Sequence, residues 1–123
     1  MAQRGQSIAL TAAIALTGRT LVKLSASKTA TTAVAAADQP VGVVEFDTPA
    51  GSGATVMVSG VAKVRAGAAV AAGARVTADA QGRAVTAAPA AGVNNGIAGI
   101  ALEAAAAAGD EIDVLLSPGV FQG

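Results

Sequence analysis

Short apolar runs alternate with clusters of turn-forming residues at intervals of roughly ten positions, the spacing expected of small antiparallel β folds. Thr20-Leu-Val-Lys-Leu-Ser25 carries Leu21, Val22 and Leu24 ahead of a polar Ser-Lys-Thr stretch. Val41-Gly-Val-Val-Glu-Phe46 follows Pro40 and stops at the turn composition Asp47-Thr-Pro-Ala-Gly51. Ala54-Thr-Val-Met-Val-Ser59 alternates, with Val56 and Val58 on one face, and Val61-Ala-Lys-Val-Arg65 follows directly. Gly60, between these two, predicts a bulge or bend in one long strand. Ile97–Glu103 and Glu111–Leu116 complete the set; in the last, Ile112 and Val114 oppose Glu111 and Asp113.

The segment from Arg65 to Val85 reads as a Gly-punctuated loop followed by a hairpin. Gly67 and Gly73 flank Val70, which is expected to plug the core, and Asp79-Ala-Gln-Gly82 is the hairpin corner. Two stretches have alternatives. Ile8–Leu16 fits a short helix or a strand, and Leu102–Ala108 fits about two helical turns ended by Gly109. Elsewhere Gly and Pro recur too often for a long helix despite the abundance of alanine. Residues 87–96, rich in Ala, Pro, Asn and Gly, are the best candidate for a surface loop. Residues 1–7 have little to bury and read as an arm. The pattern therefore predicts an all-β protein: a small single-domain β-barrel or β-sandwich with an extended N-terminal arm and at most one short helix.

Composition narrows the function. At 123 residues the chain is of single-domain size. Its alanine-rich core is thin, because burial stabilises by about 25 cal/mol per Å² and Ala contributes little area. Phe46 and Phe121 are its two aromatics, and Cys, His, Trp and Tyr are absent. Disulfides, thiolate chemistry and the commonest general base and zinc ligand go with them. Eight basic residues balance eight acidic ones and are scattered along the chain, so no basic stripe for nucleic acid forms, and base stacking has no platform. The Ile8–Leu16 run is far shorter than the ~20 residues that span a bilayer. It is not expected to be a signal peptide, since Gly5, Gln6 and Ser7 separate it from Arg4 and strand-like sequence follows.

The remaining motifs read as structure. Asp110, Glu111 and Asp113 cluster in sequence, but alternation puts Glu111 and Asp113 on a solvated strand face rather than in a metal or acid–base pocket. Ser52 and Ser59 have no histidine partner and no Gly-x-Ser-x-Gly elbow. No phosphate-loop run occurs. Lys63 sits mid-strand among valines, unlike the exposed hairpin lysine of biotin or lipoyl carrier domains. The expectation is a protein without enzymatic activity, metal or cofactor.

Several segments in order resemble the capsid decoration, or head cement, proteins of tailed bacteriophages: Gly5-Gln-Ser-Ile-Ala-Leu10, Gly18-Arg-Thr-Leu-Val-Lys-Leu24, Pro40-Val-Gly-Val-Val44 and Val58-Ser-Gly-Val-Ala62. Ala66–Val76, Asp79–Val85, Ile97–Leu102 and Gly109–Leu116 extend the resemblance over nearly the whole chain. It implies a compact, β-tulip-like subunit, made in the bacterial cytoplasm and seated as a homotrimer on three-fold sites of an icosahedral shell. There it would contact the major capsid protein and bridge capsomers. It also implies an arm over residues 1–11, laid across a neighbour by strand addition, ahead of a β domain over 12–123. Expected contact residues are Arg4, Gln6, Ile8 and Leu10 in the arm and Val93, Asn94 and Asn95 in the 87–96 loop. The rival class is a cell-surface or adhesive β-module that binds protein or carbohydrate; the scarcity of aromatics counts against a sugar site.

Overall fold

The computed structural model describes residues 6–89 and 91–122. Ten strands follow one another: β1 (Ser7–Ala12), β2 (Thr20–Ala26), β3 (Thr29–Thr32), β4 (Gly42–Val44), β5 (Gly53–Met57), β6 (Gly60–Arg65), β7 (Arg75–Ala78), β8 (Ala84–Thr86), β9 (Asn94–Ala101) and β10 (Glu111–Gln122). The first five close a barrel in the order β1-β3-β2-β4-β5, and the last five form a sheet in the order β6-β10-β9-β7-β8. The protein is all-β, and no helix occurs among the described residues.

Adjacent apolar pairs in three barrel strands explain how the two layers join. Val22, Val44 and Val56 point into the barrel, where they pack with Leu10, Ala12, Leu16, Ala30 and Ala54. Their chain neighbours Leu21, Val43 and Met57 point the opposite way, into a second core with Ala62, Val64, Val76, Ile112 and Val114 of the sheet. Successive strand residues face opposite sides, so a strand buried on both faces needs consecutive rather than alternating apolar residues. That is the pattern of Leu21-Val22, Val43-Val44 and Val56-Met57.

Gly60 marks more than a bend in one strand. β5 ends in the barrel at Met57, and β6 starts at Gly60 in the other sheet, so the expected long strand is two strands in different layers. Gly60 has φ of 82°, the left-handed region where a Cβ is disfavoured, and this turns the chain across the junction. The predicted hairpin is present as β7–β8, its corner held by Asp79, whose carboxylate accepts from the Gln81 and Arg83 amides at 2.8 Å each. Val70 is buried in the second core, as expected of the Gly-flanked loop.

Three expectations are corrected. Ser7–Ala12 is a strand of the barrel: Ser7 to Thr11 pair with Met57 to Gly53 of β5, and Thr11 and Ala12 pair with β3. Residues 7–11 are therefore not a free arm, because β1 pairs on both sides within the barrel and Leu10 and Ala12 are part of its core; residues 1–5 lie outside the described residues. Residues 102–108 form no helical turns. Ala105 instead pairs with Val70, and the Asp110 carboxylate accepts from the Ala106 and Ala107 amides at 2.9 and 3.2 Å, taking donors a helix would have used. The polar stretch after Ser25 contains a strand, β3, formed by a hairpin that turns at Ser27-Lys28 and buries Ala30.

Candidate interaction surface

The solvent face of the second sheet is organised in rows. Val61, Leu115, Ile100 and Arg75 stand in register across β6, β10, β9 and β7. Leu115 and Ile100 are 40% and 36% exposed, and Leu102 beyond them is 49% exposed. The parallel row pairs Lys63 with Asp113, and the next pairs Arg65 with Glu111. Alternation placed Glu111 and Asp113 on this outer face, and their carboxylates answer cations there. The Lys63 ammonium lies 3.2 Å from Asp113 and 3.6 Å from Glu103. Glu111 accepts from Arg19 through both oxygens, at 2.9 and 3.0 Å, and stands 3.6 Å from Arg65. The close contact with Asp113 is the largest cause holding the Lys63 pKa above the ordinary lysine value; partial burial opposes it, and the charges of Asp113 and Glu103 add to it. Lys63 is thus a strand lysine embedded in an ion-pair lattice, not a hairpin-tip lysine.

The predicted contact residues are not brought together. Gln6, Ile8 and Leu10 belong to the barrel side of the molecule, and Val93, Asn94 and Asn95 enter β9 of the other sheet. Arg4 lies outside the described residues. Gln6, Ile8, Val93 and Asn94 are exposed. Leu10 and Asn95 are buried, at 6% each, and their side chains are not offered to a partner. Leu10 stands opposite Ala54 on the inward face of the barrel, and Asn95 is covered where β9 pairs with β10. Ile8 shares that inward face, opposite Val56, but at the start of β1 it is 46% exposed. Leu24, opposite Ala30 near the end of β2, is 52% exposed at the same end of the barrel.

Sequence reasoning missed the row Val61–Leu115–Ile100, Leu24 at the barrel mouth, and Phe46. The row needs cross-strand register, which no single segment carries. Phe46 had a signal: it is one of two aromatics and closes a strand directly before a turn.

The described surface combines an exposed apolar row on the second sheet with a neighbouring row of paired charges. The chain belongs to the phage cement protein family, whose model matches residues 2–116. It is accordingly a structural protein of the phage capsid. Among solved structures it is similar to the N base of the head fiber gp8.5 of bacteriophage phi29, with a TM-score of 0.71 at 18% identity, over 96% of this chain and 98% of that one. At that identity the likeness speaks for the fold. No curated protein sequence matches the chain.

Proposed function

We propose that the protein sits as a homotrimer at three-fold sites on the outer surface of an icosahedral phage shell, binds the major capsid protein and bridges neighbouring capsomers. The family match over residues 2–116 is the observation that carries this reading. The physics supports it. Two thin cores built largely of Ala and Val leave a modest margin of stability, which burial against copies and shell would raise. A symmetric lattice repeats each contact, so weak patches act together. Arg4, Gln6, Ile8, Val93 and Asn94 are proposed to meet the shell or a neighbouring subunit, and the exposed row on the second sheet adds apolar surface for subunit packing.

The test is reconstitution. Expanded heads lacking the protein are mixed with the purified chain, sedimented and imaged by electron microscopy. Stoichiometric density at three-fold positions and increased resistance of the heads to heat are expected. A chain that stays in the supernatant at all ratios would overturn the reading.

A further inference from the structure

A cleft of about 240 Å³ lies where barrel and sheet meet, lined by Gly18, Arg19, Glu45, Phe46, Asp47 and Arg65. It is smaller than the ~300 Å³ at which small-molecule and cofactor sites begin, and of a size for one side chain. Its walls are pinned. The Arg19 amide donates to the Val44 carbonyl at 2.6 Å, and the Arg65 amide donates to the Arg19 carbonyl at 2.9 Å, so the turn before β2 is fixed to both layers. The Gly18 amide donates to Asp47 Oδ1 at 2.7 Å. A Cβ at Gly18 would come within 3.0 Å of the Asp47 amide nitrogen and 3.1 Å of the Phe46 backbone, a tight fit that glycine avoids. Arg19 has φ of 65°, a region that side-chain-bearing residues rarely adopt, and strain of this kind persists where surrounding structure enforces it.

Phe46 is 65% exposed at this cleft. The other aromatic, Phe121, has its face covered by the chain's own Arg75 guanidinium, 4.8 Å from the ring centroid. Among the described residues no such cation covers Phe46. The charges around it are also unequally paired. Arg19 and Arg65 share the single carboxylate of Glu111. Asp47 takes the Gly18 amide, and Glu45 has no ion-pair partner among the described residues. The lining itself holds two guanidiniums and two carboxylates; because Glu111, outside the lining, already answers both Arg19 and Arg65, Glu45 is left as an unanswered carboxylate beside the open aromatic ring.

We propose that this cleft receives a cationic side chain, arginine or lysine, from a partner protein, with Phe46 beneath it and Glu45 beside it. An aromatic face attracts a cation through its quadrupole, and aromatic side chains, phenylalanine included, are enriched in protein–protein interfaces. The proposal rests on the structural role given above and names the chemistry of one contact in it.

Two experiments test it on the full chain. The amide spectrum of ¹⁵N-labelled protein is titrated with N-acetyl-arginine amide and, separately, N-acetyl-glutamate. Shifts at Gly18, Phe46, Asp47 and Arg65 with the arginine compound alone, lost in Phe46→Ala, are expected. No shifts, shifts elsewhere, shifts that survive Phe46→Ala, or an equal response to the glutamate compound overturn the proposal. Binding to phage heads is then compared for the wild type, Phe46→Ala, Glu45→Gln and Phe46→Tyr. Phe46→Ala and Glu45→Gln should weaken it about tenfold and Phe46→Tyr should preserve it; unchanged binding by Phe46→Ala overturns the proposal. Should the wild type itself fail to bind heads, the capsid role falls, and the titration alone decides the cleft.

Discussion

Arg75 of β7 lays its guanidinium over the ring of Phe121, 4.8 Å from its centroid, and thereby clasps the C-terminal half of β10 to the strand beyond β9. That half of β10 extends past the end of β6, whose last partner is Leu116, and pairs on one side with Asn94–Ile97 of β9. The stacked pair therefore holds an otherwise one-sided segment. A double-mutant cycle with Arg75→Ala and Phe121→Leu, measured by urea unfolding, should give a coupling of about 0.5–1 kcal/mol, the range of exposed cation–π pairs. Amide exchange in residues 119–121 should quicken in either single variant. A coupling near zero would make the stacking incidental.

Leu21 and Leu24 lie on the same strand and test the division between core and mouth. Leu21 is fully buried between barrel and sheet, whereas Leu24 is half exposed. Leu21→Ala should cost about 2–5 kcal/mol through lost burial and a residual cavity. Leu24→Ala should stay within about 0.5 kcal/mol, as surface substitutions usually do. Thermal unfolding of the two variants checks both; similar losses would mean that the double-core arrangement is wrong.

Much of this architecture is legible in the sequence, and what is not has identifiable causes. Val41–Phe46, Ala54–Ser59 and Glu111–Leu116 announce β4, β5 and β10 because β-branched residues cluster between turn signals. β3 is hidden because Thr29-Ala-Thr-Thr32 presents one small buried side chain, Ala30, and depends on its neighbours for strand identity. Ile8–Leu16 was ambiguous locally and is settled by β5, which supplies the pairing partners of β1. The surface is the least legible part. Leu10 and Ile8 share a face and differ only in distance from the barrel end, and the row Val61–Leu115–Ile100 exists only after three strands take their register.

Two titrating groups set opposite limits on stability. Asp38 accepts from the Val34 amide at 3.0 Å and pairs with Lys23 at 3.1 Å. The Val34 contact is the largest cause holding its pKa below the ordinary value; partial burial opposes it, and Lys23 adds to it. A carboxylate with a lowered folded-state pKa contributes stability above its unfolded value, about 3.9, and that contribution is lost as pH falls through the folded value. Lys63 has the opposite sign: its raised pKa contributes stability fully below the unfolded value, about 10.4, and loses it as pH rises through the folded value. Stability against pH should therefore be flat between, falling at both ends. Asp38→Asn should flatten the acid limb and Lys63→Met the alkaline limb, each without affecting the other. A variant that alters the wrong limb would refute the assignment.

Ile8 and Leu10 separate folding from binding in the same strand. Both project toward the barrel interior, but Leu10 is buried among Ala54, Val56 and Val22, whereas Ile8 is nearly half exposed at the mouth. Leu10→Ala should destabilise by about 2–4 kcal/mol, within the range of buried Leu truncations, and any loss of head binding should track the unfolded fraction. Ile8→Asp should leave the unfolding midpoint nearly unchanged, because the carboxylate at the mouth remains hydrated. Its head binding should nevertheless fall, since placing that charge in a protein–protein contact requires removing its water. Deleting residues 2–11 would not distinguish the two effects: it removes Leu10 from the core and the β5 partners Ser7–Thr11 together. Ile8→Asp that is folded and binds heads like the wild type would take the barrel mouth out of the contact surface and leave the second sheet's exposed row as the face to test next.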